Sequence, residues 1–97
     1  MSLYDQGLSL ARHLFTLSTR IMNVDEEPVI ADGLLRAGTA VGAAIARNDL
    51  SEAQAKAGEI KFWLDMALFA DAIDGDTHRN LTAEAEEMLA ALNVAQL

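Results

Sequence analysis

Leu34 to Ile45 reads Leu-Leu-Arg-Ala-Gly-Thr-Ala-Val-Gly-Ala-Ala-Ile, with Arg36 its one charged residue. Apolar positions recur every three or four residues, the period of a helix with one buried face. Ile30, Leu34, Ala37, Val41 and Ala44 form one row, and Leu35, Gly38, Gly42 and Ile45 form its neighbour. Glycine inside a helix is less favourable than alanine by about 1 kcal/mol. Gly38 and Gly42 therefore predict close approach of another backbone, within a helix bundle or between subunits.

Working outward, Pro28 suits the first turn of this helix, where its missing amide has no partner to lose. The spacing predicts a helix over 28–47. Upstream, a helix is expected over 3–22, with Ser2 and Asp5 resembling a capping box. Its heptad line is Leu3, Leu10, Leu14, Leu17 and Ile21, with Gly7 in the gap and Leu8, Ala11, Phe15 and Met22 flanking. Downstream, Asn48-Asp49 breaks the chain, and Asp49 with Glu52, or Ser51 with Gln54, can cap a third helix to about Ile73. Leu50, Ala53, Ala57, Ile60, Leu64 and Ala67 mark its seam, with Trp63, Leu68 and Phe69 beside it. Asp74-Gly75-Asp76 reads as a turn, and a fourth helix is expected over 77–93 on Leu81, Ala85, Met88 and Leu92, with Glu84, Glu86 and Glu87 on its wet face. Connections this short leave consecutive helices antiparallel. The predicted fold is all-α, an up-down antiparallel four-helix bundle forming a single domain over 1–97.

Composition narrows the function. Five aromatic residues among 97 imply an aliphatic core with small spacers. Without cysteine the chain has no disulfide, thiolate nucleophile or cysteine-ligated metal. The N-terminal residues lack the pattern of a secretory signal. The uncharged run Ala37 to Ala46 is about half the ~20 residues that cross a bilayer. The expectation is a soluble cytoplasmic protein with no membrane partner. Net charge is −8, and residues 49–97 carry ten acids against Lys56, Lys61 and Arg79. Phosphate backbones are held by Lys and Arg displacing counterions, so this balance argues against nucleic acid. Only a patch drawn from Arg12, Arg20, Arg36 and Arg47 would serve.

Chemical constellations are sparse. Neither His13 nor His78 has a Glu or His three or four residues away, as a metal pair on one helix needs, and both are expected at the surface. A di-iron bundle requires Glu-x-x-His pairs, which this chain lacks. Asp71, Asp74 and Asp76 fail the calcium-loop register, because counting back from Gly75 puts Ala70 at position one. Glu59 to Ala70 has some likeness to the magnesium-binding helices of MazG-like nucleotide pyrophosphohydrolases. Their Glu-x-x-Glu is broken here by Phe62, the preceding helix offers only Asp32, and Glu84 with Glu87 is a lone pair. No catalytic residue, metal ligand or cofactor is expected.

The 34–45 stretch resembles the second-helix signature of a bacterial four-helix bundle family that includes the ribosomal-RNA intervening-sequence proteins, where relatives carry Leu-Leu-Arg-Ser-Gly-Thr-Ser-Ile-Gly-Ala-Asn-Ile. Lys56 to Leu64 is similar to the family's third helix, and Ala83 to Leu89 to its last. Ala44 stands where relatives have asparagine, Arg47 where an acid usually follows, and the join between helices two and three is shorter. The resemblance implies a bundle without established enzymatic activity. Some relatives are encoded within intervening sequences of ribosomal RNA genes. One branch forms a ring-like pentamer that assists the reverse transcriptase of diversity-generating retroelements through a basic surface. The shared motif is one of packing, so no catalytic residue carries over, and its arginine, Arg36, would pair with Glu59 on the neighbouring helix. The expected function is a self-associating, non-enzymatic interaction or accessory module, a homo-oligomer with a possible protein partner, for which Arg36, Gly38, Gly42, Glu59 and Trp63 are the structural or interface candidates. The alternatives are an RNA or reverse-transcriptase accessory protein using Arg12, Arg20 and Arg47, and a magnesium-dependent pyrophosphohydrolase.

Overall fold

The computed structural model describes residues 2–97. Four helices run up and down: α1 (Leu3–Arg20), α2 (Pro28–Ala46), α3 (Leu50–Phe69) and α4 (Gly75–Ala95), with a π-helical turn at Ile21–Asp25. Each helix packs on the next, and α1 meets α4 along the thinnest seam. The bundle measures 40 × 21 × 20 Å.

The predicted rows form the core. Leu10, Leu14, Leu17 and Ile21 face Ile30, Leu34, Ala37, Val41 and Ala44, with Ala53, Ala57, Ile60, Leu64 and Ala67 opposite and Ala85, Met88 and Leu92 closing the fourth side. Leu3, Leu50 and Leu81, expected on these lines, are only half-buried. The alanines let the axes come close, which is how so few aromatic residues still fill the interior.

Local chemistry sets the ends. Ser2 Oγ accepts the Asp5 amide at 3.1 Å to start α1, and Asp49 Oδ1 accepts the Glu52 amide at 3.2 Å to start α3. Ser51 and Gln54 are not needed. Both α2 and α3 end by Schellman closure. The Asp49 and Ala72 amides reach back to the Ala44 and Ala67 carbonyls at 2.8 and 2.9 Å. The left-handed residue between is Asn48 in the first turn and Asp71 in the second, each at φ 59°.

This closure corrects two boundaries. α3 stops at Phe69 rather than Ile73, because Asp71 turns the backbone and drops Ala72 and Ile73 into the end of the core. The turn expected at Asp74-Gly75-Asp76 is instead the start of α4. Asp74 Oδ1 accepts the Thr77 amide at 2.7 Å, and Gly75 and Asp76 are already helical. At the far end of α1 the helix widens into the π turn, and Glu26 at φ 54° reverses the chain ahead of Pro28.

Candidate association surface

The backbone contact predicted from glycine falls along α1 and α2. A Cβ on Gly38 would come 2.9 Å from Leu14 Cδ1, closer than packed atoms approach, with Ala11 Cα in ordinary contact at 3.7 Å. One turn on, a Cβ on Gly7 would meet Ile45 Cδ1 at 3.0 Å and Gly42 Cα at 3.6 Å. Gly42 thus lies against another glycine's backbone, while its own missing side chain points into open space. At Gly38 a side chain would have to push the Leu14 methyl aside, and at Gly42 it would meet nothing.

Beside this line α1 presents a second apolar seam to water. Tyr4, Leu8, Phe15 and Met22 are all exposed, Phe15 at 58%. With half-buried Ala11, Tyr4, Leu8 and Phe15 follow a four-three-four spacing along one stripe of the helix; the next position is buried Ser18, and Met22 lies beyond it in the π turn. The sequence shows Leu8, Ala11, Phe15 and Met22 only as flanks of the inner line and does not single out Tyr4, because a heptad pattern does not say how many neighbours a helix has. The outer face of α2 alongside is almost free of charge. Thr39, Ala43 and Ala46 are exposed and Ala40 is half-buried, leaving Asp32 and Arg36 as the one charged pair of the helix.

Between α2 and α3 lies an open groove of about 960 Å³. Gly33, Ala37, Ala40 and Ala43 line its α2 side, and Lys56, Glu59, Phe62 and Trp63 its α3 side. A Cβ on Gly33 would overlap Trp63 Cδ2 and Cε2, so the indole lies flat on bare backbone. Phe62 meets the same indole edge-on at 5.3 Å and 77°, and is itself 56% exposed. Trp63 was legible as a helix-flanking residue; its seat on Gly33 was not, since nothing in a sequence pairs a glycine with a ring thirty residues on.

The expected Arg36–Glu59 pair does not form. Arg36 Nε donates to Asp32 Oδ2 on its own helix at 2.7 Å, and Lys56 Nζ takes Glu59 at 3.2 Å and Glu52 at 3.8 Å. Partners one turn away on the same helix are reached with less ordering of long side chains than a bridge across the groove. The candidates Arg36, Glu59 and Trp63 do share the groove, with Gly38 and Gly42 on the other side of α2. The arginines considered for nucleic acid are not gathered. Arg20 ends α1 and Arg47 ends α2, at opposite ends of antiparallel helices about 28 Å long, with Arg12 and Arg36 midway on separate faces.

Both histidines are at least partly exposed, as expected, yet each reaches across to another helix. His13 Nδ1 lies 2.8 Å from both Glu84 oxygens, tying α1 to α4, and His78 Nε2 lies 2.7 Å from Asp65 Oδ1, tying α4 to α3. Glu84 is therefore half-buried and partnered rather than part of an idle pair with Glu87. Among the described residues no three His, Asp or Glu side chains gather as metal ligands would. Counted through its Asp32–Arg36 pair, α2 is long and apolar enough to cross a membrane by length and composition, which the uncharged run alone did not show; just under half of it is buried between its neighbours.

The bundle has a solved counterpart. A protein of unknown function from the S23 ribosomal protein family of Bacteroides thetaiotaomicron superposes with a TM-score of 0.89 over 94% of both chains. At 24% sequence identity this likeness is one of fold. No protein-family profile matches the sequence, and no curated protein does.

Proposed function

We propose that the chain is a non-enzymatic, self-associating bundle that works as an interaction or accessory module. The observation that carries this reading is the outer seam of α1. Single exposed apolar residues are ordinary on protein surfaces, but contiguous patches mark places where something docks. Tyr4, Leu8 and Phe15 line one side of α1, and Met22 continues that side in the π turn, beside a face of α2 almost without charge. The fold shared with the S23-family protein supports a bundle and is neutral about what it does.

The test is mass in solution. Light scattering well above micromolar concentration is expected to give a multiple of the 10.4 kDa chain. Phe15→Glu should return the chain mass with its helical circular dichroism intact. A monomer across the concentration range sinks the proposal.

A further inference from the structure

We propose that the outer face of α3, where it runs into the acidic end of the bundle, docks a cationic amphipathic helix of another protein. This rests on the reading of the chain as an interaction module, proposed above, and not on self-association. α3 is apolar on two sides. Its inner side buries Ala53, Ala57, Ile60, Leu64 and Ala67, while Phe62, Met66 and Phe69, four and three residues apart, share the side turned to water. Phe69 is 87% exposed, and exposed Ala55 and Gly58 carry the uncharged stripe back toward the start of the helix. An exposed helix face ordinarily carries charge, and this one carries Phe and Met. Val29 adds to the stripe from α2. Gly33 faces Trp63 across antiparallel helices, so exposed Val29 stands one turn nearer the end, at the groove edge it shares with Phe62.

Charge selects what covers this face. The α1–α2 and α3–α4 joints lie at the same end of an up-down bundle, so Asp25, Glu26 and Glu27 share with Asp71, Asp74 and Asp76 the end where the stripe finishes. Asp76 pairs with Arg79, and Arg20 and Arg79 lie within electrostatic reach of Asp74. Asp65, which flanks the stripe on α3 itself, meets His78. Asp25, Glu26, Glu27 and Asp71 make no ion pair among the described residues. Such an end attracts lysine and arginine, and it repels phosphates and the matching end of a second copy. A helix with apolar residues at the same four-three spacing fits Phe62, Met66 and Phe69, and its flanking cations meet the unpaired carboxylates.

Calorimetric titration of the chain with two synthetic helical peptides tests this. Both carry leucine at the apolar positions, and one carries lysine, the other glutamate, everywhere else. The lysine peptide is expected to bind, more weakly as salt is raised, and the glutamate peptide not to bind. Phe62→Ser with Phe69→Ser keeps every charge and should cost at least about tenfold in affinity, as loss of aromatic anchors does. Phe69→Ser alone serves if the pair does not fold by circular dichroism. Asp25→Asn, Glu26→Gln and Asp71→Asn together should weaken binding and flatten its salt dependence. Unchanged affinity in the serine variant means that acid draws the peptide anywhere on the surface, and it overturns the proposal. Binding of both peptides alike, or of neither, overturns it as well. So does a serine variant lighter than the wild type by light scattering, which puts a second copy on this face. A monomeric wild type that binds the lysine peptide through Phe62 and Phe69 sinks self-association and upholds the docking face.

Discussion

Gly33 and Gly58 both lie inside helices, and the same substitution has opposite expected outcomes at them. A Cβ at Gly33 overlaps the Trp63 indole, a rigid group with no flexible end to yield. Gly33→Ala should therefore destabilise the fold by about 1–3 kcal/mol, as overfilling a packed contact does. At Gly58 a Cβ meets nothing within 4 Å, and alanine should stabilise by about 0.5–1 kcal/mol through helix propensity. Denaturant unfolding of the two variants reads both signs. Asp74 supplies a pH dependence. The Thr77 amide donating to its carboxylate, helped by the Thr77 hydroxyl, Arg20 and Arg79, holds its pKa below the usual carboxylate value. A depressed folded-state value gives stability that is present above the unfolded pKa and lost as pH falls through the folded one. Asp74→Asn keeps an acceptor for the cap and should flatten the acid limb of a melting-temperature curve at Asp74's expense alone, whereas Asp74→Ala should lower the curve at neutral pH too. The capping roles of Ser2 and Asp49 were legible in the sequence because a cap is a local motif. Arg36 was misread, because its choice between Asp32 and Glu59 depends on the width of a groove that only the assembled helices define.

At the scale of elements, the helices were legible where the period was long, and their ends where a cap was local. The end of α3 was missed because Schellman closure ordinarily announces itself with glycine, and here Asp71 occupies that place. The four helices should also differ in local stability. α2 lies against both α1 and α3, while α4 leans chiefly on α3 and touches α1 along a thin seam fastened by His13 and Glu84. Hydrogen exchange read by mass spectrometry is expected to show α4 amides opening well before those of α2. Removing His13 should speed exchange in α4 without unfolding the rest. The His13–Glu84 coupling in a double-mutant cycle should stay below about 1 kcal/mol, since the histidine is largely solvated. Uniform protection across α2 and α4 would show instead that the bundle opens only as a whole.

For the molecule as a whole, the antiparallel bundle follows from four periodic segments and short joins, and the solved S23-family fold agrees with it. The inner line of α1 was legible in its heptad; what the sequence could not give is whether the flanking residues are covered as well. Flank and inner line obey the same period, and only the positions of α2 and α4 decide how much is covered. Association through the outer seam predicts that Phe15→Glu changes mass while Phe69→Glu, at the most exposed aromatic outside seam and groove, does not. Glycine is distributed unusually over the bundle. All six glycines sit inside helices and none has positive φ, while the three joints turn on Glu26, Asn48 and Asp71. A left-handed residue with a Cβ is less favourable than glycine there, by about 1 kcal/mol for an ordinary side chain. The joints thus hold mutational slack: a lineage whose faces drift toward a new partner can make up the stability lost by placing glycine at a turn, far from any contact surface.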